Sequence, residues 1–93
     1  MPNSILNSNP IPPKLDHINL DSTNCIEVFF NQNMNLSTIQ NIDNYRISEL
    51  DLKPQKIESV KYKNNYVKLH FDFIFEENKL YTLNINNVTN CRD

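Results

Sequence analysis

At 93 residues, with nine basic and eleven acidic side chains, the chain has room for one domain and carries a net charge of −2. That balance gives no basic footprint for nucleic acid, and no apolar run approaches the roughly 20 residues a membrane helix needs. A chain this short buries only about 60–65% of its unfolded surface, so its stability is expected to be modest.

Composition also speaks against helices. There is no Gly and no Ala, and 17 residues are Asn. Ala is the best helix former, and Asn, Ile, Thr and Tyr do not favour long helices. Without Gly, backbone positions at positive φ fall to Asn or Asp, which tolerate the left-handed region. Asn pairs therefore mark turns. The Asn and Lys excess itself reads as the coding bias of an AT-rich genome, since its spacing forms no polar ladder.

Met1–Pro13 (MPNSILNSNPIPP) reads as a linker or lead-in to a domain over residues 14–93. Pro10, Pro12 and Pro13 deny backbone donors and favour extended structure. The stretch lacks the cationic start and apolar core of a signal peptide. Lys14–Leu20 is a predicted strand, with Ile18 and Leu20 inward and a bulge near His17. Asp21–Asn24 is a turn cluster. Cys25–Asn31 is the second strand: Ile26, Val28 and Phe30 face the core, and Glu27 and Phe29 face out. Asn33–Ile42 does not alternate. There Ser37 is expected to cap a short helical turn that lays Ile39 and Ile42 on the core.

Asn44–Ser48 is the third strand, with Tyr45 and Ile47 inward, and Glu49–Gln55 is a loop. Lys56–Tyr62 is the fourth strand, turning through Lys63-Asn64-Asn65 into the fifth. In Tyr66–Phe73, Val67, Leu69, Phe71 and Phe73 point one way and Tyr66, Lys68, His70 and Asp72 the other. A period of two means a strand with one buried face. Phe75–Lys79 is charged and polar, as an exposed connection should be. Leu80–Val88 is the sixth strand, with Tyr81, Leu83 and Ile85 inward, and Thr89–Asp93 is a turn-like tail. No segment is amphipathic over a helix length, which argues against βαβ units. Six short strands with regular turn signals suggest two packed sheets.

Three stretches in this order resemble a bacterial Ig-like domain of the surface-layer type. Ile26–Asn35, IEVFFNQNMN, looks like that family's strand-B pattern. Leu36–Ser48, LSTIQNIDNYRIS, is similar to its helical turn followed by Asn-Tyr and a strand. Val67–Asp93 leads through Leu80-Tyr81-Thr82-Leu83 to Val-Thr-Asn. The resemblance covers most of residues 14–93. It implies an all-β fold: an Ig-like β-sandwich of six to seven antiparallel strands. Family members continue with a Gly-Asn turn and one more strand, so the resemblance also implies a missing last strand and an open edge along Leu80–Val88. The implied role is a non-catalytic spacer or adhesion module of a larger bacterial protein, secreted or at the cell surface. Its partners would be neighbouring domains of the same polypeptide, and a glycan or surface protein. The alternative is a carbohydrate-binding accessory domain of a secreted hydrolase. Tyr81, six residues after Phe75, sits where a tyrosine corner would bond backbone just upstream; it also reads as a plain core aromatic.

The residues that could carry chemistry do not assemble into a motif, so no enzyme, cofactor or metal site is expected. His17 and His70 lie in different strands with no third ligand at a converging position. Cys25 and Cys91 would need Cα atoms about 5.5 Å apart to bridge. In a sandwich, however, they fall at opposite ends of their strands. Asp21, Asp43, Asp51 and Asp72 are too scattered for calcium, and Asp43 with Asn44 reads as a capping device. Glu76 and Glu77 sit in a solvated loop with nothing to split their pKa values. Ser22, Ser37, Ser48 and Ser59 lack a partnered His, and no phosphate loop exists without Gly. Tyr62 and Tyr66, with Lys61, Lys63 and Lys68 nearby, read as a cross-strand pair stabilising a hairpin; stacking on a sugar or pinning a partner is the alternative. Asn35-Leu36-Ser37 and Asn87-Val88-Thr89 match the glycosylation sequon, which this much Asn produces by chance.

Overall fold

The alternation that marks the strands also decides which side chains leave water. The structure, a computed structural model, describes residues 5–7 and 15–91. Among these, the strands in chain order are β1 (Ile5–Asn7), β2 (Leu15–Ser22), β3 (Cys25–Phe30), β4 (Tyr45–Ile47), β5 (Lys56–Val60), β6 (Lys63–His70) and β7 (Tyr81–Ile85). One short helix, α1 (Leu36–Ile39), and 3-10 turns at Ile42–Asn44 and Ser48–Leu50 complete the elements. One sheet has the order β2-β3-β6-β5, with every neighbour antiparallel. The other has the order β1-β7-β4, with β4 antiparallel and β1 parallel to β7. The chain is thus mostly β, as its composition and periodicity indicate.

The inner faces of both sheets meet in one cluster. Ile26, Val28 and Phe30 of β3 and Val67 and Leu69 of β6 pack with Tyr45 and Ile47 of β4 and Tyr81, Leu83 and Ile85 of β7; Phe71 joins them, and all are 3% exposed or less. These are eleven of the positions that alternation places inward; Ile18, Leu20 and Phe73, also placed inward, are only partly buried against the cluster. Each large apolar side chain so buried contributes about 1.5–3 kcal/mol. Met34, Ile39 and Phe75 extend the cluster from outside the strands. The irregularity near His17 is also present, as a register shift between Leu15 and His17.

Element ends depart from the sequence reading, because partners set them. β6 begins at Lys63, before the expected Tyr66, and ends at His70, before Phe73. Its partner β3 begins at Cys25, which lies opposite His70. The β5–β6 turn is Lys61-Tyr62, closed by Val60 opposite Lys63, so Asn64 and Asn65 lie inside the strand. Asp51, Asn78 and Asn87 take positive φ, as a Gly-free chain requires, but so does Tyr62, at 69°. A left-handed non-Gly residue costs roughly 1–2 kcal/mol, and Tyr62 is 89% exposed, so its ring contributes little packing. Tyr62→Gly is therefore expected to raise unfolding stability by about 1 kcal/mol, read from a urea melt. No gain would mean that the Lys61 ammonium over the Tyr62 ring, 5.2 Å from its centroid, offsets the strain.

The helical turn is capped by Asn35, not Ser37: the Asn35 carboxamide accepts from the Ser37 N–H at 3.1 Å and the Ser37 hydroxyl at 2.8 Å. Ile39 is buried as expected, while Ile42 is half-buried. Phe75 is not part of an exposed connection. It is 3% exposed and sits edge-on to Phe71, Phe73 and Tyr81, with centroids 5.1–5.4 Å away. This aromatic plug positions the corner. The Glu76 N–H donates to the Tyr81 hydroxyl at 3.1 Å, just upstream of β7. Tyr81→Phe deletes that acceptor alone and should cost about 0.5–1.5 kcal/mol in a denaturation series; an unchanged midpoint would reduce Tyr81 to packing.

The expected open edge along Leu80–Val88 is absent. β7 spans only Tyr81–Ile85 and has neighbours on both sides, with Ile5, Leu6 and Asn7 opposite Tyr81, Thr82 and Leu83. The added strand comes from the stretch read as a lead-in. The remainder of that stretch, with its prolines, and residues 92–93 of the tail lie outside the described residues. Where β4 runs out, a side chain continues the ladder: Glu49 accepts from the Thr82 N–H at 2.7 Å and its hydroxyl at 2.8 Å. Partial burial pushes the Glu49 carboxyl up, but these bonds outweigh it and hold the group below its ordinary value.

Candidate functional site

The outer face of the four-stranded sheet gathers most of the chemistry-bearing side chains. Alternation puts Cys25, Glu27 and Phe29 of β3 on this face. Pairing then sets His70, Lys68 and Tyr66 of β6 directly opposite them. On one flank β2 adds Asn19 opposite Glu27 and His17 opposite Phe29. On the other flank β5 adds Lys56 opposite His70 and Glu58 opposite Lys68. The face divides into an aromatic end, an ionic middle and a thiol end.

At the aromatic end His17 stacks on Phe29, with centroids 4.3 Å apart and planes 10° apart; Tyr66 leans on the other side of Phe29 at 5.1 Å. The outward-facing Phe29, for which the sequence suggests cover by a second sheet or a neighbouring domain, is thus flanked by side chains of its own sheet. Tyr66 does not pair with Tyr62 across the hairpin. Its hydroxyl donates to Glu27 at 2.7 Å, and the Lys63 ammonium lies 5.6 Å from its ring centroid. In the middle, Asn19 donates to Glu27 at 2.9 Å and Lys68 pairs with Asp21 at 2.9 Å. Partial burial, with the bond to Glu27, pushes Tyr66 up to about 12. The bond to Asp21 raises Lys68.

At the thiol end three strands supply one side chain each. Cys25 Sγ lies 3.2 Å from His70 Nδ1, and His70 Nε2 lies 2.8 Å from Glu58 Oε1. The bond from His70 holds the Glu58 carboxyl below its ordinary value. The sequence reading placed His70 on an outer face but paired it with nothing. No spacing motif links positions 25, 58 and 70. Only the β3–β6–β5 register brings them together.

The other candidates stay apart. Asp43 pairs with Lys53 at 3.0 Å and Asp51 with Arg46 at 3.1 Å, both exposed pairs of small energetic weight. Asp72 is exposed beyond β6. Asn41 caps the turn that holds Asp43, and Asn44 is buried and donates to Thr38 O at 2.7 Å. Glu76 pairs with Lys79 at 3.4 Å, while Glu77 is exposed. Ser22 and Ser37 bond to Asn24 and Asn35, Ser48 to Asn84, and Ser59 to Gln40. Both cysteines are free thiols. Cys91 donates to Met34 O at 3.2 Å, beyond the far end of β3 from Cys25. A cavity of about 390 Å³ near Cys91 is lined by Gln32, Asn33 and Asn90 as well, and this lining holds no imidazole or carboxylate. It lies away from the thiol end and has no part in that chemistry. No helix among the described residues is long and apolar enough to cross a membrane.

Two tyrosines link this architecture to alkaline stability. Tyr45 is fully buried, donates to Ile39 O at 2.7 Å, and is pushed far up by burial. For both Tyr45 and Tyr66 the folded value lies above the unfolded value of 10.0. Their stabilisation is complete below about pH 10 and is lost as pH rises through the folded values. Urea midpoints should fall between about pH 10 and pH 12, and Tyr66→Phe should remove part of that fall. A flat profile across this window would contradict the linkage.

No family model, no curated protein and no solved structure matches the chain.

Proposed function

We propose that the chain is an Ig-like β-sandwich serving as a non-catalytic spacer or adhesion module of a larger secreted or cell-surface protein. Strand order supports the Ig-like reading. Strands β2 to β7 follow the order A to F of an Ig constant-type domain, with A-B-E-D in one sheet and C-F in the other. β1 takes the place of the last strand and runs parallel to F. The bacterial origin rests on the sequence resemblance.

The observation that carries the mechanical role is this parallel pairing. β1 lies near the first residue and β7 near the last. Tension applied through the two ends pulls parallel neighbours in opposite directions along their axes. It therefore loads their backbone bonds together, in shear. Pulling single molecules by their ends tests this. Proline at Leu6 or at Asn7 removes a ladder donor in one or the other hydrogen-bonding phase, and one of the two should markedly lower the unfolding force. Equal forces in all three chains would overturn the load-bearing reading.

The aromatic row favours a second reading, the carbohydrate-binding accessory domain. His17, Phe29 and Tyr66 form a platform beside polar groups on an open sheet face, and aromatic platforms stack on sugars. A glycan array separates the two. A spacer binds nothing on it, whereas glycan binding that Phe29→Ala abolishes would establish the second reading.

A further inference from the structure

We propose that Cys25, His70 and Glu58 form a reactive-thiol site, at which Cys25 exchanges with a low-molecular-weight disulfide. With a neutral His70, the contacts assign the protons. Glu58, held in its ionised form by the bond from His70, can only accept, so His70 Nε2 carries the hydrogen across the 2.8 Å contact. A neutral imidazole has one N–H. Nδ1 therefore presents its lone pair to Cys25 Sγ at 3.2 Å. The thiol proton has this nitrogen as its strong acceptor; Asn24 Oδ1, at 3.4 Å, is the weaker one. Transfer to Nδ1 leaves a thiolate against an imidazolium that Glu58 stabilises from the far side. This is the arrangement that activates cysteine nucleophiles.

The surrounding charges do not compete for this role. Lys56 and Glu58 face the pair from β5, Lys68 from β6, Glu27 from β3 and Asp21 from β2. Asp21 is held by Lys68, and Glu27 by Tyr66 and Asn19. His70 is thus the group on this patch placed to take the thiol proton. Cys25 is 8% exposed, but the His70 side chain is 28% exposed, so a small disulfide approaches across the sheet face on the imidazole side. The step balances. Cys25 passes its proton to His70, and the thiolate attacks one sulfur of the disulfide. A new S–S bond forms as the old one breaks, and the departing thiolate takes the proton from His70. The products are a mixed disulfide on Cys25 and one free thiol.

The test uses the full chain carrying Cys91→Ser, so that Cys25 is the only thiol, and dithiodipyridine as the disulfide. An ordinary thiol of pKa about 8.5 loses reactivity roughly tenfold per pH unit below that value. The proposal expects a much shallower fall between about pH 8 and pH 6. Adding His70→Asn should restore the ordinary slope and slow the reaction at pH 6 roughly tenfold or more; Glu58→Gln should fall between. Far-UV circular dichroism establishes that each variant is folded. If His70→Asn does not fold, the slope of the Cys91→Ser chain and its change in Glu58→Gln decide the matter. An ordinary slope in the His70-containing chain overturns the proposal. So does a rate no faster than global unfolding, which would make the Cys25–His70 bond purely structural.

Discussion

Truncating Phe71 to Ala should destabilise the domain by about 3–5 kcal/mol, the usual cost of removing a buried aromatic ring. Phe71 is 2% exposed, and its N–H donates to Asn24 O at 2.9 Å, which pins the backbone just beyond β6. Its ring meets Phe75 edge-on at 5.4 Å, and Phe75 in turn holds Tyr81. The cavity would therefore open beneath the plug that carries the chain from one sheet to the other. A domain of this length has roughly 5–14 kcal/mol to lose, so the substitution should remove from about a fifth to the whole of its stability. Phe73→Ala is the control, because Phe73 is only partly buried and should cost clearly less. Equal losses in a chemical denaturation series would mean that the plug acts as one unit. A loss at Phe71 below about 1.5 kcal/mol would mean that the loop collapses into the space.

Inward and outward positions were legible in the sequence because they need only local information. A period of two assigns faces before any partner is known, and Val67, Leu69 and Phe71 obey it. Strand ends were not legible, because a ladder stops where its neighbour stops: β6 ends at His70 because Cys25 begins β3. The short β1 left too small a signal. Ile5-Leu6-Asn7 is three residues beside a proline-rich stretch, and its partner lies at the other end of the chain. The thiol site was hidden for the same reason. In the sequence Cys25 reads only as half of a disfavoured disulfide and His70 as one of several outward residues of its strand, and pairing turns them into neighbours. Asn35 took the cap from Ser37 because capping depends on where the helix starts, and the first turn begins at Leu36. The Tyr62 turn ran against local preference. Two long strands closing on Val60 and Lys63 over-determined a conformation that an Asn would have held with less strain.

Deleting residues 1–7 should lower stability by about 2 kcal/mol and make the chain self-associate. The deletion removes the backbone bonds of a three-residue ladder, each worth about 0.5–1.5 kcal/mol net. On its other side β7 stays paired to β4 through Leu83, Asn84 and Ile85, and Glu49 still holds the Thr82 N–H, so the sheet should persist without its first strand. What changes is the edge. Tyr81–Ile85 carries no charged side chain, proline or bulge, which are the devices that discourage pairing along an exposed strand. A second copy can then supply the strand that β1 supplied. Sedimentation velocity over a concentration series should show the full chain as monomer and the shortened chain shifting to dimer or larger species. A synthetic peptide of residues 1–13, added in trans, should restore the monomer and raise the unfolding midpoint, because it offers the same backbone to the same edge. A shortened chain that keeps the midpoint of the full one and stays monomeric would show that β1 neither stabilises nor protects β7.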